Sequence, residues 1–275
     1  MHQNVVFGFG DPPSQALMSL HTWAGLHGVA PLYNYQPIVM DCHSLERGTG
    51  ILTSESVLGC HFAEPLQASR CPWLEHLAQG SLSSGRVNII YKDDMRITGD
   101  DTLHSGSLRA LANAGFSSEG SRVLLLGSGP EAQGIVRSRA VSGMSRLLLL
   151  HSSIDRIRVM ASAIKRELPH LSVMIGSLQN ENLQSIVNDI DLLINALDTD
   201  DQTIRALMPT TLRLPQHLHV IDLGLTVNSM WAMHDDELLL TQKSIQVWQN
   251  AECFRLWNNR DLPGELLHLV TNDAH

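Results

Sequence analysis

An α/β fold of two lobes, the second a Rossmann-like doubly wound sheet, is what the sequence predicts, and three patterns carry the prediction. Short apolar runs alternate with helical spacings from residue 4 onward, an order that implies parallel strands. After residue 120 the runs become continuous, VLLL at 123–126 and LLLL at 147–150, as in strands buried on both faces. Between those two runs lies GSGPEA, a glycine turn directly after a strand and opening a helix.

The elements follow in order. NVVFGFG (4–10) reads as a strand, residues 12–28 as a helix closed by Gly28, and PLYNYQPIVM (31–40) as a second strand. A helix is predicted around 44–57 and a strand over 58–67, ending in a turn at Pro65. RVNIIYKDDMRITGD (86–100) alternates and turns at Asp93-Asp94, the pattern of a hairpin. The polar junction ITGDDTLHSG follows, and 106–115 is a helix stopped by Gly115. Then come five predicted parallel strands, at 121–126, 146–153, 171–176, 190–197 and 218–225, separated by helical stretches. Residues 241–260 form one amphipathic helix pattern. The change of rhythm divides the chain into a lobe over 1–105, a Rossmann-like dinucleotide lobe over 106–240 and a C-terminal helical segment over 241–275.

Composition narrows the function. With 275 residues, 43% hydrophobic and 17% charged, the chain has the makings of a folded globular protein. A formal charge of −9 and the lack of a Lys/Arg cluster argue against nucleic acid or an anionic membrane as partner. A small-molecule substrate is expected instead. No apolar run approaches the roughly 18 residues of a membrane span, and the opening MHQNVVFGFG lacks the pattern of a secretory signal. The expected location is cytoplasmic, in keeping with four cysteines that show no CxxC spacing. Fourteen histidines occur without metal-ligand spacing, so no metal is expected.

Gly127, Ser128, Gly129, Pro130, Glu131 and Ala132 fit the GxGxxA fingerprint. The first glycine makes the tight turn, the second lets backbone approach a pyrophosphate, and Ala132 lets helix and sheet pack closely. Pro130 suits the first helical position, whereas Glu131 puts a negative charge near the phosphates. The second strand ends HSSIDR without the Asp or Glu that would hold a ribose 2′-hydroxyl. Ser152 and Ser153, with Arg156 nearby, favour a 2′-phosphate, so NADP is preferred to NAD. A lobe that no longer binds nucleotide is the alternative.

With these pieces in order, the chain resembles the shikimate dehydrogenase family over nearly its whole length. The resemblance implies a substrate lobe, an NADP-binding Rossmann lobe and a C-terminal helix that returns to the first lobe. Ser14 matches a serine that holds the substrate carboxylate, and Asn88 matches the VNT asparagine. Gly99, Asp100, Thr102 and Gly106 match the GDNTDG junction, Gln249 a ligand-binding glutamine, and Asn195 the strand end where the cofactor passes. Asp101 is a further substrate-binding candidate within the junction. Helix capping or turn formation is an equally simple reading of Ser14, Asp100 and Thr102.

The departures fall on the chemistry. The family's lysine, which acts on the reacting hydroxyl, aligns with Gln67, and its partner aspartate with Leu103. Ala16, Ala63 and Leu225 replace two further polar residues and a tyrosine, and His151-Ser152-Ser153 stands where the family grips the NADP phosphate. An amide cannot accept the hydroxyl proton, and a positioned acid or base is worth about 10²–10⁴-fold. Shikimate dehydrogenase activity itself is therefore not expected. The resemblance implies that the family's residues at positions 61 and 63 face the ligand, and since residues two apart on a strand face the same way, His61 and Ala63 are expected to do so together; His61 and His104 are the acid/base candidates. The resulting expectation is an NAD(P)-dependent oxidoreductase acting on a small polar or carboxylate-bearing substrate other than shikimate. Its alternative is a non-catalytic ligand-binding pseudoenzyme. A homodimer is a common arrangement for such proteins.

Overall fold

The computed structural model describes residues 4–9, 17, 20, 33–38, 52, 54–63, 74, 76–93, 96–136, 143–178, 182–197, 212–223 and 238–264. The chain separates into two compact units, Met1–Gly106 with Gln246–His275, and Ser107–Ile245. In chain order the elements are β1 (Asn4–Phe9), β2 (Tyr33–Ile38), β3 (Val57–Phe62), β4 (His76–Leu77), α1 (Gln79–Ser84), β5 (Ile89–Asp93), β6 (Arg96–Asp100) and α2 (Thr102–Asn113). They continue with β7 (Arg122–Leu126), α3 (Pro130–Val136), β8 (Arg146–His151), α4 (Ile154–Glu167), β9 (Ser172–Ser177), α5 (Leu183–Val187), β10 (Leu192–Asn195), β11 (His219–Asp222), β12 (Leu239–Thr241) and α6 (Gln242–Asn258).

The first unit holds a mixed sheet in the order β2-β1-β3-β5-β6-β4. β1 runs parallel to β2 and β3, while β5 is antiparallel to both β3 and β6. Directly paired residues share a face, and the two faces have different fillings. Phe9, Cys60, Phe62 and Ile90 pack together on one; Val6 and Ile89 on the other pack with Cys253 and Trp257 of α6. Gly59 is required on the α6 side, because a Cβ there would lie 2.0 Å from the Ile90 carbonyl oxygen and 2.6 Å from Trp257 Nε1. That indole N–H donates to the same carbonyl at 3.0 Å.

The second unit is an all-parallel sheet in the order β12-β11-β10-β7-β8-β9. Counted from β7 this is the doubly wound order 3-2-1-4-5-6, whose direction reverses between β7 and β10. Leu124, Leu126, Leu150, Leu193 and Val220 form its buried core, each such side chain contributing about 1.5–3 kcal/mol. α4 covers the sheet with Ile157, Met160, Ala161 and Ile164, spaced to fall on one helical face. At the amino ends of the strands Arg122 donates from Nε and Nη2 to Asp191, at 3.1 and 3.0 Å, and also pairs with Asp189. The guanidinium holds the Asp191 carboxyl below its usual range.

Several expectations are corrected. The second sheet has a sixth strand, the three-residue β12, beyond the five predicted. The helix expected at 44–57 does not reach its predicted end: residues 54–56 form a bend and turn, and Val57 already begins β3. That strand ends at Phe62, short of the predicted 67. α6 is not amphipathic, because Ile245, Val247, Asn250, Ala251, Glu252, Cys253, Phe254 and Trp257 are all buried and span every side of a 3.6-residue helix. Among the described residues no helix is long and apolar enough to cross a membrane, and no group of three or more His, Cys, Asp or Glu is placed to hold a metal.

Candidate functional site

The crowding of polar side chains at 97–106 is explained first by helix starts, which leave backbone N–H groups without partners. Asp101 is the N-cap of α2, its Oδ1 accepting from Leu103 N at 3.0 Å. Asn88 Oδ1 accepts from Thr102 N at 3.0 Å, and its Nδ2 donates to Thr102 Oγ1 at 2.8 Å. Asp100 Oδ1 accepts from Asp101 N at 2.8 Å and from Ser81 N, inside the first turn of α1, at 3.2 Å. Gly80 allows this approach, since a Cβ there would sit 2.3 Å from the Asp101 carbonyl oxygen.

α6 closes on the same junction. A Cβ on Gly106 would lie 2.7 Å from Gln249 N and 2.9 Å from its Cγ, so the absence of a side chain lets the two helices touch at Gln249. Thr102 Oγ1 lies 3.7 Å from Cys253 Sγ. Burial pushes the Cys253 thiol far above its usual range, which removes it as a nucleophile. The structure thus brings together Asn88, Asp101, Thr102 and Gln249 within the first unit.

The titratable groups lie on one face of the sheet. His61 pairs with Ile89, and Ile89 with Asp100, so His61 and Asp100 occupy one row, two strands or about 10 Å apart. His61 is only 6% exposed. Burial raises the Asp100 carboxyl from 3.8 to about 6, with Asp101 and Glu252 adding to the rise and the two backbone N–H bonds opposing it. Tyr91, in the next row, is pushed up to about 12 by burial and then by Asp100. His104 lies two residues beyond Thr102 on α2, about 200° round the helix, and so is not gathered with Thr102 and Asn88. Leu103, where an acidic partner was sought, is a buried core side chain.

The glycine turn of the second unit follows β7 at the point where strand order reverses, the usual ligand position in such sheets. Gly127 has φ +110°, and a Cβ there would be 2.2 Å from the Ala196 carbonyl oxygen. Only glycine fits. Among the described residues, a Cβ on Gly129 would meet only Glu131 Oε2, at 3.2 Å, so the second glycine is bordered by a carboxylate. Ala132 is fully buried against the core. Asn195, beside the turn at the end of β10, donates to Asp222 Oδ1 at 2.8 Å and accepts from Leu197 N at 3.4 Å. Glycines, strand order and the small buried residue all fit a dinucleotide; Glu131 is the feature that opposes it.

At the end of β8, Ser153 N–H donates to His151 Nδ1 at 2.8 Å. Arg156 is exposed on α4. His151 figures in the sequence only as one of the three residues where the family grips the NADP phosphate; buried Asp222 was not singled out, and the titration of Asp100 depends on cross-strand neighbours that no local pattern reveals. Ser14 and Gln67 lie outside the described residues, as do Ala16 and Leu225.

No family model matches the chain. It is similar to the shikimate dehydrogenase (NADP(+)) of Geobacter sulfurreducens, 27% identical over 187 residues, 68% of this chain and 65% of that enzyme. This match thus spans slightly less than two thirds of the relative's length. Its similarity to the shikimate dehydrogenase (NADP(+)) of Magnetococcus marinus is 25% over 273 residues, 94% of this chain and 92% of that one. Among solved structures, shikimate 5-dehydrogenase from Listeria monocytogenes, in complex with shikimate and NAD, superposes with a TM-score of 0.79 at 17% identity, covering 100% and 97% of the two chains. The fold is that of the shikimate dehydrogenase-like oxidoreductases. The family resemblance read from the junction, the glycine turn and the last helix is present in the sequence comparison and in the fold alike.

Proposed function

We propose that this chain is a dinucleotide-dependent oxidoreductase acting on a small polar or carboxylate-bearing substrate other than shikimate, with His61 as its acid/base. The observation that carries the reading is the shared row of His61 and Asp100 on one face of the first sheet, which sets a buried imidazole in register with a carboxyl raised to about 6. They stand in for a lysine–aspartate pair whose second position is Leu103.

A bound nicotinamide would supply or accept hydride. The chain's own residues have the remaining tasks. Gly127, Ser128 and Gly129 form the turn for the pyrophosphate, with Asn195 beside it. Gln249 and the Asn88–Thr102 pair are proposed to orient the substrate by hydrogen bonds, Asn88 Nδ2 keeping a second N–H beyond the one given to Thr102. His61 would take the hydroxyl proton as the alcohol is oxidised and return it on reduction. Asp100 Oδ1 is committed to two backbone N–H groups, so its contribution is electrostatic: its ionisation favours imidazolium on the same face.

Calorimetric titration with NADH and NADPH, followed by turnover on a panel of small ketones and hydroxy acids, tests the reading. Binding of either nucleotide is expected, with kcat falling about 10²–10⁴-fold in His61→Asn. Absence of binding by both nucleotides would overturn it and favour the second reading, a ligand-binding protein without catalysis. The placement of Glu131 Oε2 beside Gly129 is the specific feature favouring that alternative.

A further inference from the structure

We propose that His151 is the residue that sets nucleotide choice in this chain, and that it disfavours a 2′-phosphate, making NAD the preferred cofactor. The inference rests on the dinucleotide reading above and reverses the preference for NADP drawn from Ser152, Ser153 and Arg156. In doubly wound nucleotide sites the end of the second strand faces the adenosine ribose, and an acidic residue about 20 positions after the glycine turn commonly holds its hydroxyls. His151 is the last residue of β8, and it is buried.

Three observations in this neighbourhood oppose a phosphate dianion. The first is that Ser153 N–H donates to His151 Nδ1 at 2.8 Å. The ring nitrogen acts as acceptor in this hydrogen bond, so the backbone donor is spent on the imidazole rather than offered to a ligand. The second is Asp155, which places a carboxylate in the first turn of α4, where it would repel a phosphate. The third is Arg158, whose guanidinium is drawn to Asp155 Oδ1 at 3.0 Å. Arg156 is exposed, and a single flexible cation in water contributes little. A ribose carrying only hydroxyls meets none of these penalties.

The test is nucleotide binding followed by fluorescence or calorimetry on the full chain, with no substrate present. Wild type is expected to bind NADH about tenfold or more tightly than NADPH, the size of one missing charge-assisted hydrogen bond. His151→Ala, which releases Ser153 N–H, should narrow that ratio at least about fivefold. Because the buried ring also supports β8, a second variant is needed: exposed Asp155→Asn should raise NADPH affinity about 2–5-fold, as expected for charge removal at a helix start, while leaving NADH unchanged. Tighter binding of NADPH by wild type overturns the assignment while leaving the oxidoreductase reading intact. An NADH:NADPH ratio unmoved by both substitutions does the same. Failure of both nucleotides to bind overturns both.

Discussion

Asn in place of Asp100 isolates the most informative group in the first unit. The carboxyl is raised from 3.8 to about 6, chiefly by burial. Between those values the folded protein binds more protons at this position than the unfolded chain does, so stability falls as pH rises through the interval. The protonated form's contribution is fully present below about pH 4 and lost above about pH 6. At about 1.4 kcal/mol per tenfold change in proton affinity, the loss is at most about 3 kcal/mol, and the half-buried setting of the side chain brings it toward the lower part of a range of about 1–3 kcal/mol. Asn keeps an oxygen to accept from Ser81 N and Asp101 N but cannot ionise. Urea unfolding of wild type and Asp100→Asn at half-unit steps from pH 4 to 8 gives the difference in stability between them. Any fixed cost of seating the amide is the same at every pH, so only the slope of that difference matters. Wild type is expected to lose about 1–3 kcal/mol relative to the variant between pH 4 and 7, half of it by about pH 5. A difference that stays level across the range refutes the argument, and with it the electrostatic role given to Asp100.

Three further substitutions probe the packing around the two sites. Gly59→Ala forces a Cβ into the Ile90 carbonyl and Trp257 Nε1; a loss of about 2–4 kcal/mol is expected from overpacking and the displaced indole hydrogen bond, visible in denaturation curves and near-ultraviolet tryptophan signals. Thr102→Val removes the oxygen that accepts from Asn88 Nδ2, at a cost of about 1–3 kcal/mol, whereas Thr102→Ser should recover most of it in the same thermal melt. Gly127→Ala combines φ +110° with a 2.2 Å approach to Ala196 O, and should cost about 3 kcal/mol and abolish nucleotide binding in calorimetry.

What could be read from the sequence was what local pattern determines. The glycine turn declares itself because a tight turn, a strand before it and a helix after it all lie within about 15 residues, and the pairing of β5 with β6, as far as Asp93 with Arg96, is equally local. β12 escaped because three residues, Leu239 to Thr241, carry no periodicity of their own; they become a strand only through pairing with Val220 to Asp222. The last helix was found, but its amphipathic reading failed because partners surround it, and a helix buried on every side has no polar stripe to detect. Strand alternation set His61 and Ala63 on one side of the strand, yet the association of His61 with Asp100 passes through Ile89 and depends on the register of two antiparallel pairs. The hydrogen bond between Ser153 N and His151 Nδ1 depends on a side-chain rotamer, which no sequence pattern specifies.

The junction matches to the shikimate dehydrogenase pattern carry less functional weight than their number suggests. Gly99 is packed so closely that a Cβ would lie 2.6 Å from Leu74 Cδ1, Asp100 holds the start of α1 to the junction, Thr102 is locked to Asn88, and Gly106 makes room for Gln249. Each is accounted for by folding alone, and a protein without catalytic activity would need them equally. Weight therefore shifts to ionisable groups outside those helix starts. His61, buried on β3 and in register with Asp100, is the one whose structural and chemical roles substitution can separate. This distinction is measurable: if His61→Leu matches wild type in stability and nucleotide affinity yet turns over no substrate, the imidazole serves chemistry. If instead His61→Leu unfolds the first unit while His61→Gln restores both fold and turnover, the ring is only a hydrogen-bonding support, and the proton must be carried by another group.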